Sequence, residues 1–214
     1  MRKRLGLPIA NEGWPFIVPL AVITILLFSF GWHYPGTAFL ILTLFVLFFF
    51  RDPDRKIPEG RDVLVSPADG KVVMIKELYE PDYLKQNVKQ ISIFLSVFNV
   101  HINRSPMKGV VERVSYQPGK FHAAFLDKAS QYNEQTAVII ADRKRRILVK
   151  QIAGVLARRI VCNAKPGDMI QRGERYGIIR FGSRVDLFLP NDAEIRVTAG
   201  DTIKGGQDIL GVLK

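Results

Sequence analysis

The stretch that decides the fold covers residues 176–190 and has the sequence YGIIRFGSRVDLFLP. One β-type run enters a Gly-Ser pair, and a second β-type run leaves it. A glycine held between two strands can adopt backbone angles closed to other residues, and a serine directly after it can bring its hydroxyl onto the preceding carbonyl. Gly182-Ser183 is therefore a candidate for chemistry at the backbone, although such a pair taken alone is more often an ordinary turn.

The chain around this stretch has the same β character from about residue 58 onward. Short apolar runs are separated by Gly, Pro, Asn and Asp, and the pattern predicts one short helix near residues 79–85. Residues 142–145 are typical of a hairpin turn. The predicted strands are residues 63–66, 71–75, 90–94, 109–117, 136–141, 146–153, 159–163, 176–180, 185–188 and 194–197.

An internal repeat supports a mainly β fold. The sequence GDMIQRG at residues 167–173 matches GDTIKGG at residues 200–206, and ADGKV at residues 68–72 is a related turn. Each of the two longer copies has a Gly-Asp turn, one apolar residue expected to point inward, and a second Gly. Such repeats resemble the hairpin-built barrel-sandwich folds of lipoyl and biotinyl carriers, and the alternative is two ordinary Gly-rich turns.

The N-terminal part is of a different kind, because residues 13–50 contain no Asp, Glu, Lys or Arg. The sequence HYPG at residues 33–36 divides them into two apolar runs, residues 14–32 and 37–50. As helices they would span about 28 Å and about 22 Å, against a hydrocarbon core of roughly 30 Å. The first is long enough to cross a membrane. The second would thin the bilayer, stop short or lie partly in the interface.

Basic residues flank these runs on both outer sides, at positions 2–4 and at 51, 55 and 56, and the connecting loop has none. The positive-inside rule places both ends in the cytoplasm and predicts a membrane-associating helical hairpin. The alternative is a buried helical pair in a soluble core, which the lack of a polar face over residues 44–50 disfavours. A cleaved signal peptide is disfavoured, because the apolar part is too long and no small-residue cleavage site follows.

The charge balance favours an anionic partner. The chain has 31 Lys+Arg against 20 Asp+Glu, a formal net charge of +11. The basic clusters at residues 143–146 and 158–159 lack interleaved aromatic residues, so we expect an anionic membrane surface and no nucleic acid. The single cysteine, Cys162, excludes an internal disulfide, and together with three unpaired His residues it predicts no metal site.

Five motifs follow one another along the C-terminal part of the chain. They are VSPADGKV at residues 65–72, FLSVFNVHINRSP at 94–106, PGKF at 118–121, NE at 133–134 and FGSR at 181–184. Together they resemble the phosphatidylserine decarboxylases in their short bacterial and archaeal form. The resemblance covers roughly residues 63–213, and several ordered motifs are specific where a single one would be weak.

The resemblance implies a proenzyme that cuts itself between Gly182 and Ser183. Ser183 would attack the Gly182 carbonyl, and the resulting ester would eliminate to leave a pyruvoyl group on the small chain, residues 183–214, apart from the large chain, residues 1–182. That covalent cofactor would form a Schiff base with the serine amine of phosphatidylserine and accept the electrons left by CO2, giving phosphatidylethanolamine. The expected domains are the hairpin, residues 1–57, and a catalytic domain, residues 58–214, on the cytoplasmic side of the cell membrane.

His101 is the preferred base and proton donor beside Ser183, since an imidazole titrates near working pH. His122 is its rival, and a structural role is the alternative for His101. The resemblance makes Asp69 the acid that orients the imidazole, although Asp-Gly alone is more often a turn.

The chain also departs from the longer members of the family. They have a second histidine where this chain has Arg104, and Ser-Thr after the glycine where this chain has Ser183-Arg184. Arg104 and Arg184 are therefore expected to bind the substrate phosphate or carboxylate, or else to be solvated surface residues. Asn133 and Glu134 are further substrate-binding candidates through the resemblance.

Three alternatives stay open from the sequence. A membrane-tethered, non-catalytic carrier would need a modifiable Lys in a fixed motif at a hairpin tip, which is not found. A pyruvoyl decarboxylase of a soluble amino acid would have no reason to sit on lipid. An archaetidylserine head group would present the same serine as phosphatidylserine. Whether the chain forms a homo-oligomer is open.

Overall fold

The structure is a computed structural model that describes residues 7–119, 133–143, 145–154, 159–180 and 182–214. Contacts divide the chain at Arg55 into an N-terminal and a C-terminal unit. The candidate His122, residue 181 of the FGSR motif, and parts of the PGKF motif and of both basic clusters lie outside the described residues.

The N-terminal unit is a helical hairpin. A single 3-10 turn at Asn11–Gly13 leads into α1 (Trp14–Ser29), and α2 (His33–Phe49) packs against it. The Thr24 and Thr43 hydroxyls lie 3.2 Å apart between the two helices. At the open end, Ile9 and Arg51 form an isolated antiparallel bridge, so both ends of the hairpin lie together.

The division between the two helices differs from the sequence prediction. The link is residues 30–32, and the HYPG sequence expected to separate the runs forms the first turn of α2. Pro35 is tolerated there because the first N–H groups of a helix have no intrahelical partner. The Gly36 N–H already donates to the Trp32 carbonyl at 2.9 Å, which closes this first turn.

Many large apolar side chains of the hairpin face outward, among them Ile25 at 65% and Ile41 at 63% exposure. Residues 11–29, which include the 3-10 turn, form a helical segment long and apolar enough to cross a membrane, and α2 is a shorter apolar helix. An apolar surface of this size is costly in water. The exposure disfavours a helical pair buried in a soluble core.

The C-terminal unit is built from strands, as the sequence predicts, so the chain is mainly β. An eight-stranded sheet has the order β13-β2-β3-β11-β7-β6-β5-β9, and two three-stranded sheets have the orders β1-β14-β12 and β4-β10-β8. The strands are β1 Val63–Val65, β2 Gly70–Glu80, β3 Gln86–Leu95, β4 Ile102–Arg104, β5 Gly109–Gln117, β6 Gln135–Asp142, β7 Arg145–Ala153, β8 Ile160–Cys162, β9 Met169–Ile170, β10 Arg175–Ile179, β11 Ser183–Pro190, β12 Glu194–Ile195, β13 Thr202–Ile203 and β14 Ile209–Val212.

The helix predicted at residues 79–85 is wrong. Strand β2 continues to Glu80, residues 81–84 form a turn, and β3 begins at Gln86, so the segment is the tip of a long hairpin. The Glu80 carboxylate accepts the N–H groups of Tyr83 and Leu84, both at 2.8 Å. A side chain that satisfies two turn N–H groups stabilises the turn against a helix.

The two copies of the internal repeat take equivalent positions in the structure. Its two copies place β9 and β13 at opposite edges of the eight-stranded sheet, where β9 pairs with β5 and β13 pairs with β2. Ile170 and Ile203 are buried in the main core, as expected. The backbone bonds match as well, because Gly167 N–H donates to the Val111 carbonyl and Gly200 N–H to the Val72 carbonyl, both at 2.8 Å.

The repeat predicts a strict need for glycine at the first residue of β5. A Cβ at Gly109 would collide with the Ala141 carbonyl oxygen and lie 2.9 Å from an Ile140 methyl. Because a backbone atom cannot move aside cheaply, Gly109→Ala should lower the free energy of unfolding by about 1–3 kcal/mol, measured by denaturant unfolding in neutral detergent. The neighbouring exposed change Lys108→Ala should stay within about 0.5 kcal/mol. Equal stability of the two variants would contradict the prediction.

Candidate active site

Ser183 is the first residue of β11, the strand between β3 and β7 in the eight-stranded sheet. It pairs with Leu95 on one side and Ala153 on the other. Its side chain is completely buried, and its hydroxyl has no hydrogen-bond partner among the described residues. A buried hydroxyl without a partner costs free energy, so this position is unusual for a serine with a purely structural role.

The residue before it holds a conformation that favours glycine. Gly182 has φ +55°, in the left-handed region, and a Cβ placed there would meet no atom within 4 Å among the described residues. Backbone conformation, rather than space, is therefore what requires glycine here. The Gly182 carbonyl precedes a strand whose own position is fixed by pairing on both sides.

His101 is buried and has a defined tautomer. Its Nδ1 lies 2.9 Å from the Asn99 carbonyl oxygen. A carbonyl can only accept, so Nδ1 carries the proton in this hydrogen bond and Nε2 of the neutral ring carries the lone pair. The side-chain oxygen of Asn99 accepts the N–H and the hydroxyl of Ser96, both at 2.8 Å, which fixes the turn that presents this carbonyl.

The strand order brings His101 and Ser183 to the same part of the fold. The turn that contains Asn99 follows Leu95, the β3 partner of Ser183. The His101 carbonyl then accepts the N–H of Ile179, at 3.3 Å, four residues before Ser183. Strand β3, which pairs with Ser183, and strand β10, which precedes Ser183 in the chain, are thus both connected to the backbone around His101.

Asp69 lies directly before β2 and is almost fully buried. Its carboxylate accepts the Gly205 N–H at 2.7 Å and pairs with Arg55 at 2.8 Å. Strand β3 separates β2 from β11, so two strand spacings, about 10 Å, lie between their backbones. The Asn99 carbonyl fixes the His101 tautomer in this structure, and the orienting role of Asp69 stays a prediction.

Comparison with known families identifies the relatives of this site. The family model described as phosphatidylserine decarboxylase matches residues 42–211, most of the chain. The chain belongs to the phosphatidylserine decarboxylase family. The match includes the four candidates Ser183, Gly182, His101 and Asp69.

Individual relatives agree with the phosphatidylserine decarboxylase family over nearly the full length of the chain. The phosphatidylserine decarboxylase proenzyme of Syntrophotalea carbinolica is 49% identical over 208 residues, 97% of this chain and 97% of that protein. Those of Desulfotalea psychrophila and Syntrophus aciditrophicus are 43% and 46% identical over 205 residues, 95% of this chain and 96% of each protein.

In this decarboxylase-family chain, Arg184 is buried in an ion pair rather than solvated at the surface. It contacts Asp186 at 2.6 Å and donates to the Ser92 hydroxyl at 2.8 Å, and Gln90 donates to Asp186 at 2.9 Å. Consecutive strand residues point to opposite faces, so Arg184 and Ser183 project from opposite sides of the sheet. Arg184 also lines a cavity of about 350 Å³, and its substrate role stays a prediction.

Arg104 is buried too, and it donates to the Gly173 carbonyl at 3.1 Å. It lies three residues after His101 along β4, about 10 Å further from the Ser183 end of β10. The alternative of a solvated surface arginine is wrong for both Arg104 and Arg184. Binding of the substrate phosphate or carboxylate by Arg104 stays a prediction.

Asn133 and Glu134 both hold Ala153, the β7 partner of Ser183. The Asn133 side chain donates to the Ala153 carbonyl at 2.7 Å, and the Ala153 N–H donates to the Glu134 carbonyl at 2.9 Å. Both residues are buried. The structure therefore gives them a scaffolding contact next to Ser183, and substrate binding by them stays a prediction.

A buried amide pair near the site was not predicted. Gln151 donates to the Asn103 side-chain oxygen at 2.7 Å, yet the Asn103 amide nitrogen and the Gln151 amide oxygen have no partner among the described residues. Gln151 lies two residues before Ala153, on the same face of β7. A Cβ at Gly177 would come within 2.8 Å of the Gln151 side chain, so glycine makes room for the pair. No local sequence signal pointed to this pair, because Gln151 directly follows Lys150 in a strand of mixed composition.

The described residues contain no group of three or more His, Cys, Asp or Glu side chains that could hold a metal ion. Burial raises the pKa of the Cys162 thiol. The thiol is therefore protonated near neutral pH, which disfavours a role as a nucleophile.

The Arg184–Asp186 pair leads to a stability prediction. Asp186→Leu leaves the buried Arg184 charge without its carboxylate and should cost about 3–5 kcal/mol of unfolding free energy. The double variant Arg184→Met/Asp186→Leu removes both charges and should recover most of this loss in denaturant unfolding. A double variant less stable than Asp186→Leu would contradict a structural ion pair. A raised KM for substrate in the double variant would support the substrate role of Arg184.

Proposed function

We propose that the chain is a proenzyme that cuts itself at Gly182-Ser183 and then decarboxylates phosphatidylserine to phosphatidylethanolamine, with Ser183 converted into a pyruvoyl group. The observation that carries the proposal is the buried Ser183 hydroxyl, which has no partner among the described residues and directly follows a left-handed glycine. Membership of the decarboxylase family supports the reaction, and the names of the relatives support a phosphatidyl rather than an archaetidyl substrate.

The eight-stranded sheet supports the attack on the Gly182 carbonyl by holding the backbone of Ser183 in place. Ser183 is paired on both sides, whereas Gly182 precedes the ladder and has open space around its Cα. The Gly182 carbonyl can therefore rotate toward the hydroxyl of a residue whose backbone is held in place. Such positioning supplies much of the rate of an intramolecular reaction.

The bonds of the self-cleavage balance without an external oxidant or reductant. The Ser183 oxygen bonds to the Gly182 carbonyl carbon while the peptide C–N bond breaks, which gives an ester and a free amine. Loss of the Ser183 Cα proton then breaks the ester C–O bond, releasing the Gly182 carboxylate and leaving dehydroalanine. Water adds, ammonia leaves, and residue 183 ends as pyruvoyl.

His101 is proposed to move the protons. With Nδ1 committed to the Asn99 carbonyl, Nε2 is the atom that accepts a proton from the Ser183 hydroxyl and later returns one to the substrate carbon. Asp69, paired with Arg55, is proposed to support the charge that His101 acquires.

The surroundings of Ser183 fit the group proposed there. A pyruvoyl group supplies the electron sink for decarboxylation. Pairing of β11 with β3 and β7 would keep residue 183 in place after the cut, and the Asn103 amide lies on the Ser183 side of the sheet with an available donor. Such a donor stabilises negative charge in a buried site better than water does.

The helical hairpin is proposed to anchor the enzyme to the cell membrane. Under this proposal residues 1–57 associate with lipid and residues 58–214 form the catalytic domain on the cytoplasmic side. The outward-facing apolar side chains and the flanking basic residues support the proposal. A membrane-bound enzyme meets its lipid substrate without extracting it into water.

Self-cleavage should require the Ser183 hydroxyl. Purified wild-type protein should migrate as two fragments, whereas Ser183→Ala lacks the nucleophile and should stay full length on denaturing gels. Ser115→Ala, at a half-buried position of β5, is the control and should cut normally. Cutting of Ser183→Ala at the wild-type rate would rule out the proposed nucleophile.

His101 should matter more for turnover than for maturation, because self-cleavage occurs once per molecule and turnover needs a proton in every cycle. His101→Ala should slow cutting and lower CO2 release per cut enzyme by about 10²–10⁴-fold. Asp69→Asn should show a milder form of the same defect, and His122→Ala should leave both steps largely intact. The assay is labelled CO2 from phosphatidylserine, normalised to cut enzyme. Normal turnover by matured His101→Ala would remove His101 from the catalytic step.

Removing residues 1–50 should separate anchoring from catalysis. The truncated chain should still cut itself, because every proposed reacting group lies after residue 50, but it should no longer sediment with membranes. Sedimentation and gel analysis of the full chain provide the control. A truncated protein that fails to fold would show that these residues belong to the catalytic core.

A further inference from the structure

We propose that the C-terminal unit has a second lipid site, a basic cleft that binds the phosphate of an anionic, non-substrate phospholipid headgroup. The basic cleft is a cavity of about 470 Å³ lined by residues 57–63 and by side chains that include Lys108, Arg143 and Arg172. A second cavity of about 370 Å³ shares Arg61 and Arg143 with it and adds Lys214. The proposal rests on the membrane association proposed above.

The basic cleft is distinct from the Ser183 site. Its rim includes Arg145, the first residue of β7, whereas Ser183 pairs with Ala153 near the other end of that strand. Eight residues of extended strand separate the two positions by about 26 Å. A headgroup in the basic cleft would not touch the residues proposed for catalysis.

Two acidic groups in the basic cleft, Asp62 and Asp142, are paired with one arginine. Arg145 contacts Asp62 at 2.5 Å and Asp142 at 3.2 Å, so one guanidinium is shared by two carboxylates. These contacts raise the Arg145 pKa, the hydrogen bond to Asp62 most of all, and keep it charged. Cations exceed acids among the side chains that line the two cavities, because Arg61, Lys108, Arg143, Arg145, Arg172 and Lys214 stand against Glu59, Asp62 and Asp142. Arg61 also lies 3.7 Å from Asp62.

One wall of the basic cleft is held by Arg172. It donates to the Gly60 carbonyl at 2.7 Å and to the Val63 carbonyl at 3.3 Å, which fixes the segment that carries Arg61. Its Nε–H is buried and has no hydrogen-bond partner among the described residues. A phosphate oxygen is a suitable acceptor for such a donor.

Two charged residues of the basic cleft have left-handed backbone conformations. Asp62 has φ +63° and Arg143 has φ +56°, the region that non-glycine residues rarely adopt. Two-residue hairpins need this conformation at their first central residue, so the turn between β6 and β7 accounts for Arg143. The turn thereby holds an exposed cation at the edge of the basic cleft.

A lipid headgroup fits the basic cleft better than free phosphate or nucleic acid. The volume far exceeds that of a small ion, since a water molecule takes only about 30 Å³ in the liquid. The residues that line both cavities include no aromatic side chain on which a base could stack. In the sequence, the lining begins at Ile57, eight residues after the end of the apolar helix α2.

The test uses the full chain in phosphatidylcholine vesicles that contain increasing fractions of photoactivatable phosphatidylglycerol, with the reactive group beside the phosphate. Cross-linked peptides from residues 57–63 and 142–146 report occupancy. Each cation near a membrane surface contributes about fivefold to binding, so Arg61→Gln/Arg143→Asn should raise the half-saturating phosphatidylglycerol fraction about 25-fold. Asn tolerates the left-handed conformation, so the hairpin tip is preserved. The control Lys165→Gln/Lys204→Gln removes two exposed charges outside the basic cleft and should change nothing.

The outcomes separate this proposal from the proposed function. Phosphatidylglycerol has no serine, and uncut Ser183→Ala protein should bind it as wild type does, so failure of decarboxylation would not affect the result. Equal effects of the cleft variant and its control would overturn the proposal, as would labelling confined to peptides around Ser183. Displacement of the label by equimolar inorganic phosphate would overturn the lipid assignment in favour of a free-anion site.

Discussion

The pairing of β11 on both edges is the constraint on which the rest of the structure depends. Ser183 is the first residue of this strand, and its backbone is fixed by Leu95 on β3 and Ala153 on β7. Because both neighbours are themselves paired in the eight-stranded sheet, the position of the Ser183 hydroxyl is set by the whole ladder. The one freedom left is at Gly182, where a left-handed backbone precedes the first paired residue.

The repeat explains why such a strand is available. Hairpin β2–β3 and hairpin β5–β6 are equivalent, each begins with a glycine packed against a carbonyl oxygen, and each is flanked by one copy of the Gly-Asp turn. Both hairpins also have a register shift near the start, between Val72 and Met74 and between Val111 and Arg113. Between the two hairpins, β7 and β11 lie side by side and close the sheet. Two copies of one unit thus leave β11 as a central strand that begins at the buried Ser183.

Sequence patterns located most of the strands but not all of their ends. The predicted run at residues 109–117 matches β5, whereas the runs at 71–75 and 90–94 cover only about half of β2 and β3. Strands β4, β9, β13 and β14 were not predicted, since two to four residues give too short a period. The helix predicted at residues 79–85 was wrong because this segment is the tip of the β2–β3 hairpin, where Glu80 caps the turn through local hydrogen bonds. The separation of the apolar helices was misplaced because proline also fits the first turn of a helix.

The candidate site also has features that the sequence predicted and features that it did not. Ser183, His101 and Asp69 were proposed as site residues from motifs, but the contact of His101 with the Asn99 carbonyl depends on a turn that sequence alone does not reveal. Arg184 and Asp186 lie two residues apart and therefore on the same face of β11, so the sequence could have predicted their ion pair. Arg184 was expected to bind substrate instead. Gln151 and Asn103 meet only because β7 and β4 converge, so no local pattern could join them.

The central claim is that Ser183 becomes the blocked N-terminus of a small chain. Intact-mass spectrometry of the purified full-length protein tests it most directly. We expect two masses, residues 1–182 with an ordinary carboxyl end and residues 183–214 lighter by one ammonia than a fragment with a free N-terminal serine. A borohydride reduction should add two hydrogens to the small chain alone, because only a ketone at residue 183 is reduced. A single mass for the uncut chain in an active preparation, or a small chain with an intact serine amine, would contradict it.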